Sequence, residues 1–331
     1  MKRPLARTTL GPRIAPASLP TRPRRLAAQR RRRRLRGVNE MTTLEETADR
    51  QSLWDNTADV LKRRVEIARW VTFAFSILGA LLSAIASQLN DPPRMYFAIA
   101  GAVLLAAVGF VASRGPQTTN WLRARTASEA LKREAYKYAT SVTPYDDPLK
   151  RDAALNMERD RIERDLDDLL ASAVSSAKAG SAPRDKLSRD EYLAGRVREQ
   201  IDQYYLPRAN ANKKIAVRLR WAESSLAMAA AIITGNVAVV GKQLFGIQFD
   251  FVALTAVLTT VGTAVVAHIE ASRCEFLVMT YRATARRLSA ELASFADVNA
   301  LSAEQWSDFV NRCEAIMSDE NTSWAAKWTK A

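Results

Sequence analysis

The side chains best placed to do chemistry are hydroxyls inside uncharged, apolar sequence. Ser76, Ser83 and Ser87 fall with Gly79 and Ala80 on one face of a helical period. Thr255, Thr259 and Thr263 repeat at four-residue spacing, and Asn236 is the most polar residue of a third such run. Residues four apart are neighbours on a helix surface. Small and hydroxyl residues so spaced let helices approach closely and hydrogen-bond, and in an assembly of several copies they can line a poorly selective pore. Enzymatic patterns are absent. One histidine, His268, leaves no Ser/His/Asp arrangement to build, and Cys274 and Cys313 have no His or Cys near them in sequence. No phosphate-binding glycine loop occurs. The dense acids Glu158, Asp160, Glu163, Asp165, Asp167 and Asp168 alternate with arginines and read as a solvated helix face with local ion pairs. The expectation is a protein that is not an enzyme and takes no cofactor or metal.

The elements that carry the hydroxyls are four runs without Lys, Arg, Asp or Glu. They are Trp70–Asn90, Met95–Ser113, Ser224–Gly241 and Phe251–Ile269, of 21, 19, 18 and 19 residues. At a rise of about 1.5 Å per residue each is about long enough to cross a hydrocarbon core of roughly 30 Å. The turns Asp91–Arg94 and Lys242–Asp250 are too short to hold a domain, so the runs pair as two hairpins. A soluble protein with four buried core helices is the alternative, and it accounts poorly for four runs of bilayer length flanked by charge.

Charge sets the orientation. Lys62, Arg63, Arg64 and Arg69 precede the first run, and Arg114, Arg123 and Arg125 follow the second. Lys213, Lys214, Arg218 and Arg220 precede the third, and Arg273, Arg282, Arg286 and Arg287 follow the fourth, whereas the turns contribute only Arg94 and Lys242. The positive-inside rule then places both termini and the segment between the hairpins in the cytoplasm, in a multi-pass protein of the inner (plasma) membrane. Trp70 and Trp221 fall at the membrane interface. Of the formal charge of +14, residues 1–40 carry +12, from 13 Lys or Arg against Glu40. This Arg-rich stretch reads as a disordered tail or as sequence preceding a true start at Met41. Binding to nucleic acid or anionic lipid is the competing reading.

Outside the runs the sequence is helical, so the fold class is an all-α membrane protein with long charged amphipathic helices of coiled-coil character. Residues 45–69 lead straight into the first run. Trp121–Tyr138 continues after the second until Ser141-Val142-Thr143-Pro144 stops it. Pro148 can open a helix whose stripe is Leu149, Leu155, Ile162, Leu166, Leu169, Leu170 and Val174. Residues 179–187 form a linker between a first unit, 41–178, and a second, 188–331. Ser188-Arg189-Asp190-Glu191 is a capping box, followed by Tyr192, Arg196, Gln200 and Tyr204 at intervals of four, with a kink expected at Pro207. A helix continues over 270–295, and Ser302-Ala303-Glu304-Gln305 starts a last helix to about Met317. Both units share one layout, with a basic-aromatic junction (Arg69-Trp70; Arg220-Trp221) before a hairpin entering from the same side. They are parallel rather than inverted repeats.

The stretch from Tyr192 through Arg196 and Gln200 to Tyr204-Tyr205 resembles the opening helix of SLATT domains, the SMODS and SLOG-associating two-transmembrane effectors. Glu320-Asn321-Thr322-Ser323-Trp324 is similar to that family's C-terminal ending. In the first unit, Ala127-Ser-Glu-Ala-Leu-Lys132 with Tyr136, Tyr138 and Pro144-Tyr145 resembles the segment after the hairpin in another SLATT subgroup. The resemblance covers roughly 44–150 and 185–326. It implies an effector of bacterial conflict systems that homo-oligomerises into a membrane pore on a nucleotide signal. It also implies a separate nucleotide-sensing partner, since no glycine-rich nucleotide-binding stretch lies in this chain. Two alternatives remain: a membrane-anchored scaffold whose cytoplasmic helices bind a partner, and, more weakly, a tethered nucleic-acid binder using the Arg tail.

Overall fold

Thr42 opens the longest element with a reciprocal cap, its hydroxyl accepting the Glu45 N–H while the Glu45 carboxylate accepts the Thr42 N–H. The computed structural model describes residues 41–114, 118–174, 180–240, 243–244, 247–248, 251–295 and 297–329. The basic stretch 1–40 lies outside them. From the Thr42 cap, α1 runs unbroken over Thr43–Gln88, so the cytoplasmic and apolar parts expected of it are one rod. Asp91-Pro92 and the next proline end that register. Pro93 then heads α2 (Pro93–Arg114), where its missing N–H costs nothing. The two helices meet at glycines. A Cβ on Gly79 would fall 2.8 Å from Cγ of Leu105, and one on Gly101 would fall 2.7 Å from the Ser83 hydroxyl and 3.0 Å from the Gly79 carbonyl.

Helix α3 (Thr118–Ala139) ends where Ser141 takes a left-handed φ of 54°. The expected third helix is shorter than its stripe. α4 spans Arg151–Glu163, because Asp147 forms a turn: its carboxylate accepts the Leu149 N–H and its carbonyl accepts the Lys150 and Arg151 N–H groups. Leu149 is therefore 93% exposed, outside the core. The helix breaks again at Arg164–Leu166, where Asp165 leaves helical dihedrals, and ends after Asp167–Leu170. Leu155, Leu166 and Leu169 of the stripe are buried.

The Ser188–Glu191 capping box is present, and it opens α5, helical over 189–240. Its early turns, Leu193–Arg198 and Gln200–Tyr205, are wound as π-helix. The wider winding comes immediately before Pro207, which has no N–H to continue an α-helical ladder. The run 224–241 is helical to Val240, and its last residue lies outside those described. A two-residue antiparallel pair, β1 (Gln243–Leu244) with β2 (Ile247–Gln248), closes the second turn with Gln243 opposite Gln248. α6 (Phe251–Ser272) and α7 (Cys274–Ala293) replace the expected continuous helix. Arg273 between them is left-handed (φ 50°), and the Ser272 hydroxyl bonds the His268 carbonyl. The last helix, α8 (Ala303–Thr329), starts at the Ser302–Gln305 cap and runs well past Met317.

Helices α1, α2 and α6–α7 contain segments long and apolar enough to cross a membrane, and only 17%, 6% and 11% of their most apolar windows is buried within the chain. The rest of the structure packs well. Trp54, Trp121, Leu122, Leu131, Leu166 and Leu169 form one core beside α3. A larger one joins the halves: Tyr136 and Val142 of the first sit among Tyr192, Val197, Leu288, Phe309, Val310 and Ile316 of the second. The Ser307 hydroxyl accepts the Thr143 N–H at 3.0 Å, and the Ala139 carbonyl accepts the Leu187 N–H at 3.0 Å.

Candidate functional site

A charge on an otherwise apolar face builds the centre of this core. Along α8, Phe309, Val310, Cys313, Ile316 and Met317 are buried, and Glu314 is buried with them at 1% exposure. Arg196 answers it from the π-wound part of α5, donating Nε at 3.0 Å and Nη2 at 2.8 Å to the two carboxylate oxygens. The Tyr192 hydroxyl donates to the same carboxylate at 3.1 Å. The guanidinium lies 4.4 Å from the centroid of the Tyr136 ring, which belongs to α3. A bidentate, stacked arginine is a geometry that lysine cannot copy. Burial holds the Tyr192 phenol protonated far above its ordinary range. Burial, reinforced by Arg196, lowers the neighbouring Lys132 ammonium to about 8.

Toward the apolar helices the packing opens into a cavity of about 630 Å³, walled by α1, α3, α5, α6–α7 and α8. Tyr204, Glu320 and Asn321 face it, so five of the seven motif residues lie in this core or on its cavity. Gln200 is half-buried, and the side chain of Trp324 lies outside the described residues. Glu320 is 7% exposed, and among the described residues no hydrogen-bond donor or cation reaches its carboxylate. Its pKa is pushed up to about 7 by burial and by the nearby Glu129 carboxylate, against the pull of Arg125 and Arg208. Arg208 lies 4.2 Å from the Tyr204 ring centroid. Arg125 is paired with Asp55 at 2.7 Å and Glu129 at 2.6 Å.

The hydroxyls of the apolar runs are satisfied within their own helices. Ser76 donates to Thr72, Ser83 to Gly79 and Ser87 to Ala84, at 2.9, 2.9 and 2.7 Å. Thr255, Thr259 and Thr263 donate to the carbonyls four residues back, at 3.0, 2.9 and 2.9 Å, and the Asn236 amide donates to Ile232 at 2.8 Å. Asn236, Thr259 and Thr263 are exposed in the single chain. Trp70 and Trp221 are exposed by 57% and 71%, and the Trp70 ring lies 4.8 Å from that of His268 on α6. The acid run does form ion pairs, Glu158 with Arg161 and Asp168 with Arg123, but Glu163 turns inward to Arg50 and the Trp54 indole. Cys274 and Cys313 are buried free thiols.

Glu314, Arg125 and Arg208, which lie outside the sequence motifs, complete the site together with Tyr136 of the first unit's motif. Glu314 carried a readable signal, a carboxylate inside the apolar stripe of α8. Arg196, 118 residues away along the chain, carried none that pointed to it.

Residues 192–324 match the family described as SMODS and SLOG-associating 2TM effector domain 1. Residues 52–153 match a family of proteins of unknown function, DUF4231. Neither the curated proteins nor the solved structures yielded a match.

Proposed function

We propose, from the match of residues 192–324 to the SLATT family of membrane effectors in conflict systems, that the chain oligomerises into a pore that disrupts the inner membrane of a bacterial cell. In this reading all four apolar runs cross the bilayer as two hairpins, both termini stay in the cytoplasm, and a separate protein senses the nucleotide signal. The chain acts by assembly and not by catalysis.

The observation that carries the reading is the mismatch between the two ends of the molecule. The charged end is a closed core that fixes both hairpins together, whereas the apolar helices leave most of their surface uncovered, Thr259, Thr263 and Asn236 included. In a bilayer those faces meet lipid or another copy, and hydroxyl-bearing faces are what a wet lumen would keep.

The test is membrane potential, read with a voltage-sensitive dye after inducing residues 41–331 in a bacterial host. Depolarisation before loss of viability is expected, and Ser83→Leu or Thr259→Leu is expected to abolish it at unchanged membrane abundance. Toxicity that survives both substitutions would rule out a pore lined by those faces. Activity that survives replacement of both hairpins by unrelated ones would establish a scaffold instead.

A further inference from the structure

The cavity beside Glu320 does not end at the apolar helices. A second cavity, of about 340 Å³, lies between α1, α2 and α6, walled by Phe73, Val111, Ala264 and their neighbours. The two spaces share Val65, Arg69, His268 and Ala271 as lining residues, so they adjoin. The shared wall is at the level of Trp70, the residue expected at the membrane interface. One chamber is therefore polar and on the charged side of that level, and the other is apolar and on the hydrocarbon side.

The polar chamber is specific about charge. Lys62 is within 3.6 Å of Glu66, and Arg125 is held between Asp55 and Glu129. Two charged groups on the wall have no oppositely charged partner within ion-pair distance among the described residues: Arg208, stacked on Tyr204, and Glu320. One is a cation and one a carboxyl, and the aromatic rings of Tyr204, Trp121 and Tyr281 line the same chamber. The Glu320 carboxyl lines this chamber without a donor among the described residues, and a bound ammonium would supply one.

We propose that the paired cavities hold one zwitterionic aminophospholipid, its phosphate on Arg208, its ammonium on Glu320 and an acyl chain in the apolar chamber. A purely anionic headgroup would satisfy Arg208 and leave Glu320 facing a phosphate. A choline headgroup has no N–H to give Glu320. The inference rests on the placement of these helices in a membrane and not on the pore, so a failure to depolarise cells leaves it standing.

The experiment is native mass spectrometry of the full chain, delipidated in detergent and titrated with phosphatidylethanolamine, phosphatidylglycerol or phosphatidylcholine. One molecule of phosphatidylethanolamine is expected to be retained about tenfold better than either of the others, the scale of one charge-assisted hydrogen bond. Arg208→Gln, at an exposed position, and Glu320→Gln, which keeps the shape of the wall, should each erase the preference while both proteins remain folded. Equal retention of the three lipids, a preference for phosphatidylglycerol, or a preference untouched by the two variants would overturn the assignment. So would soluble phosphoethanolamine competing as well as the whole lipid, because the apolar chamber would then contribute nothing.

Discussion

Glu320 is the residue whose ionisation the fold resists. Its pKa rises from the ordinary 4.5 to about 7, driven first by burial and then by Glu129. The other charged groups that face it are Arg125 from α3 and Arg208 from α5, with Tyr204 alongside. A carboxyl raised in this way binds more protons folded than unfolded. Its stabilising contribution is complete below about 4.5 and is lost as pH rises through about 7. The expected outcome is that Glu320→Gln, in lipid-free detergent, raises the melting temperature at about pH 8 and changes it little at about pH 5. Parallel melting curves across that range would mean that Glu320 ionises as an exposed carboxylate does. Arg196 and Glu314 differ from it: they satisfy one another, and breaking such a buried pair from one side costs about 3–5 kcal/mol.

At the scale of elements, the α1–α2 hairpin depends on two missing side chains. Gly101 sits against the Gly79 carbonyl, which is backbone and cannot swing aside. Gly101→Val should separate the helices and lower the thermal stability of the purified protein in detergent by about 1–3 kcal/mol. Gly109→Val, where a Cβ would meet nothing within 4 Å, should leave stability within about 0.5 kcal/mol. Equal effects at the two positions would mean that the seam is not tightly packed. Much of the element plan was legible because it is local. The Ser188–Glu191 and Ser302–Gln305 caps are four-residue patterns, and the apolar runs declare themselves by composition. The break at Arg273 was not legible, because Ser272 makes the same bond to the carbonyl four residues back that Ser76 and Thr255 make inside unbroken helices. Helix α8 continues past Met317, where its apolar stripe thins, and Glu320 one turn further on is still buried.

Over the whole molecule, the larger core belongs to both halves. Tyr136 and Val142 come from the first, and Arg133 donates to the Ser318 hydroxyl at 3.1 Å from across the same boundary. Residues 41–187 and 188–331 made as separate chains in one cell should therefore co-purify, and Tyr136→Asp should weaken that association at least about tenfold, since it buries a charge in the shared core. Halves that purify independently and remain folded would show that the shared core contributes little. Sequence alone could place the motif residues on helices, yet it could not bring Tyr136 and Glu314 to Arg196, since side-chain partners this distant in sequence are set by the packing of four helices at once.

The unbroken course of α1 has a mechanical meaning. At 1.5 Å per residue its 46 residues make a shaft about 69 Å long, anchored at Trp54 and carrying the Gly79 seam at its far end. A twist applied at the anchor reaches the seam with little lost to bending. The other route to the apolar helices is articulated, with π-wound turns in α5 and a left-handed link at Arg273. The first hairpin is thus coupled to the core beside α3 by one rigid rod, whereas the second is coupled to the shared core through joints.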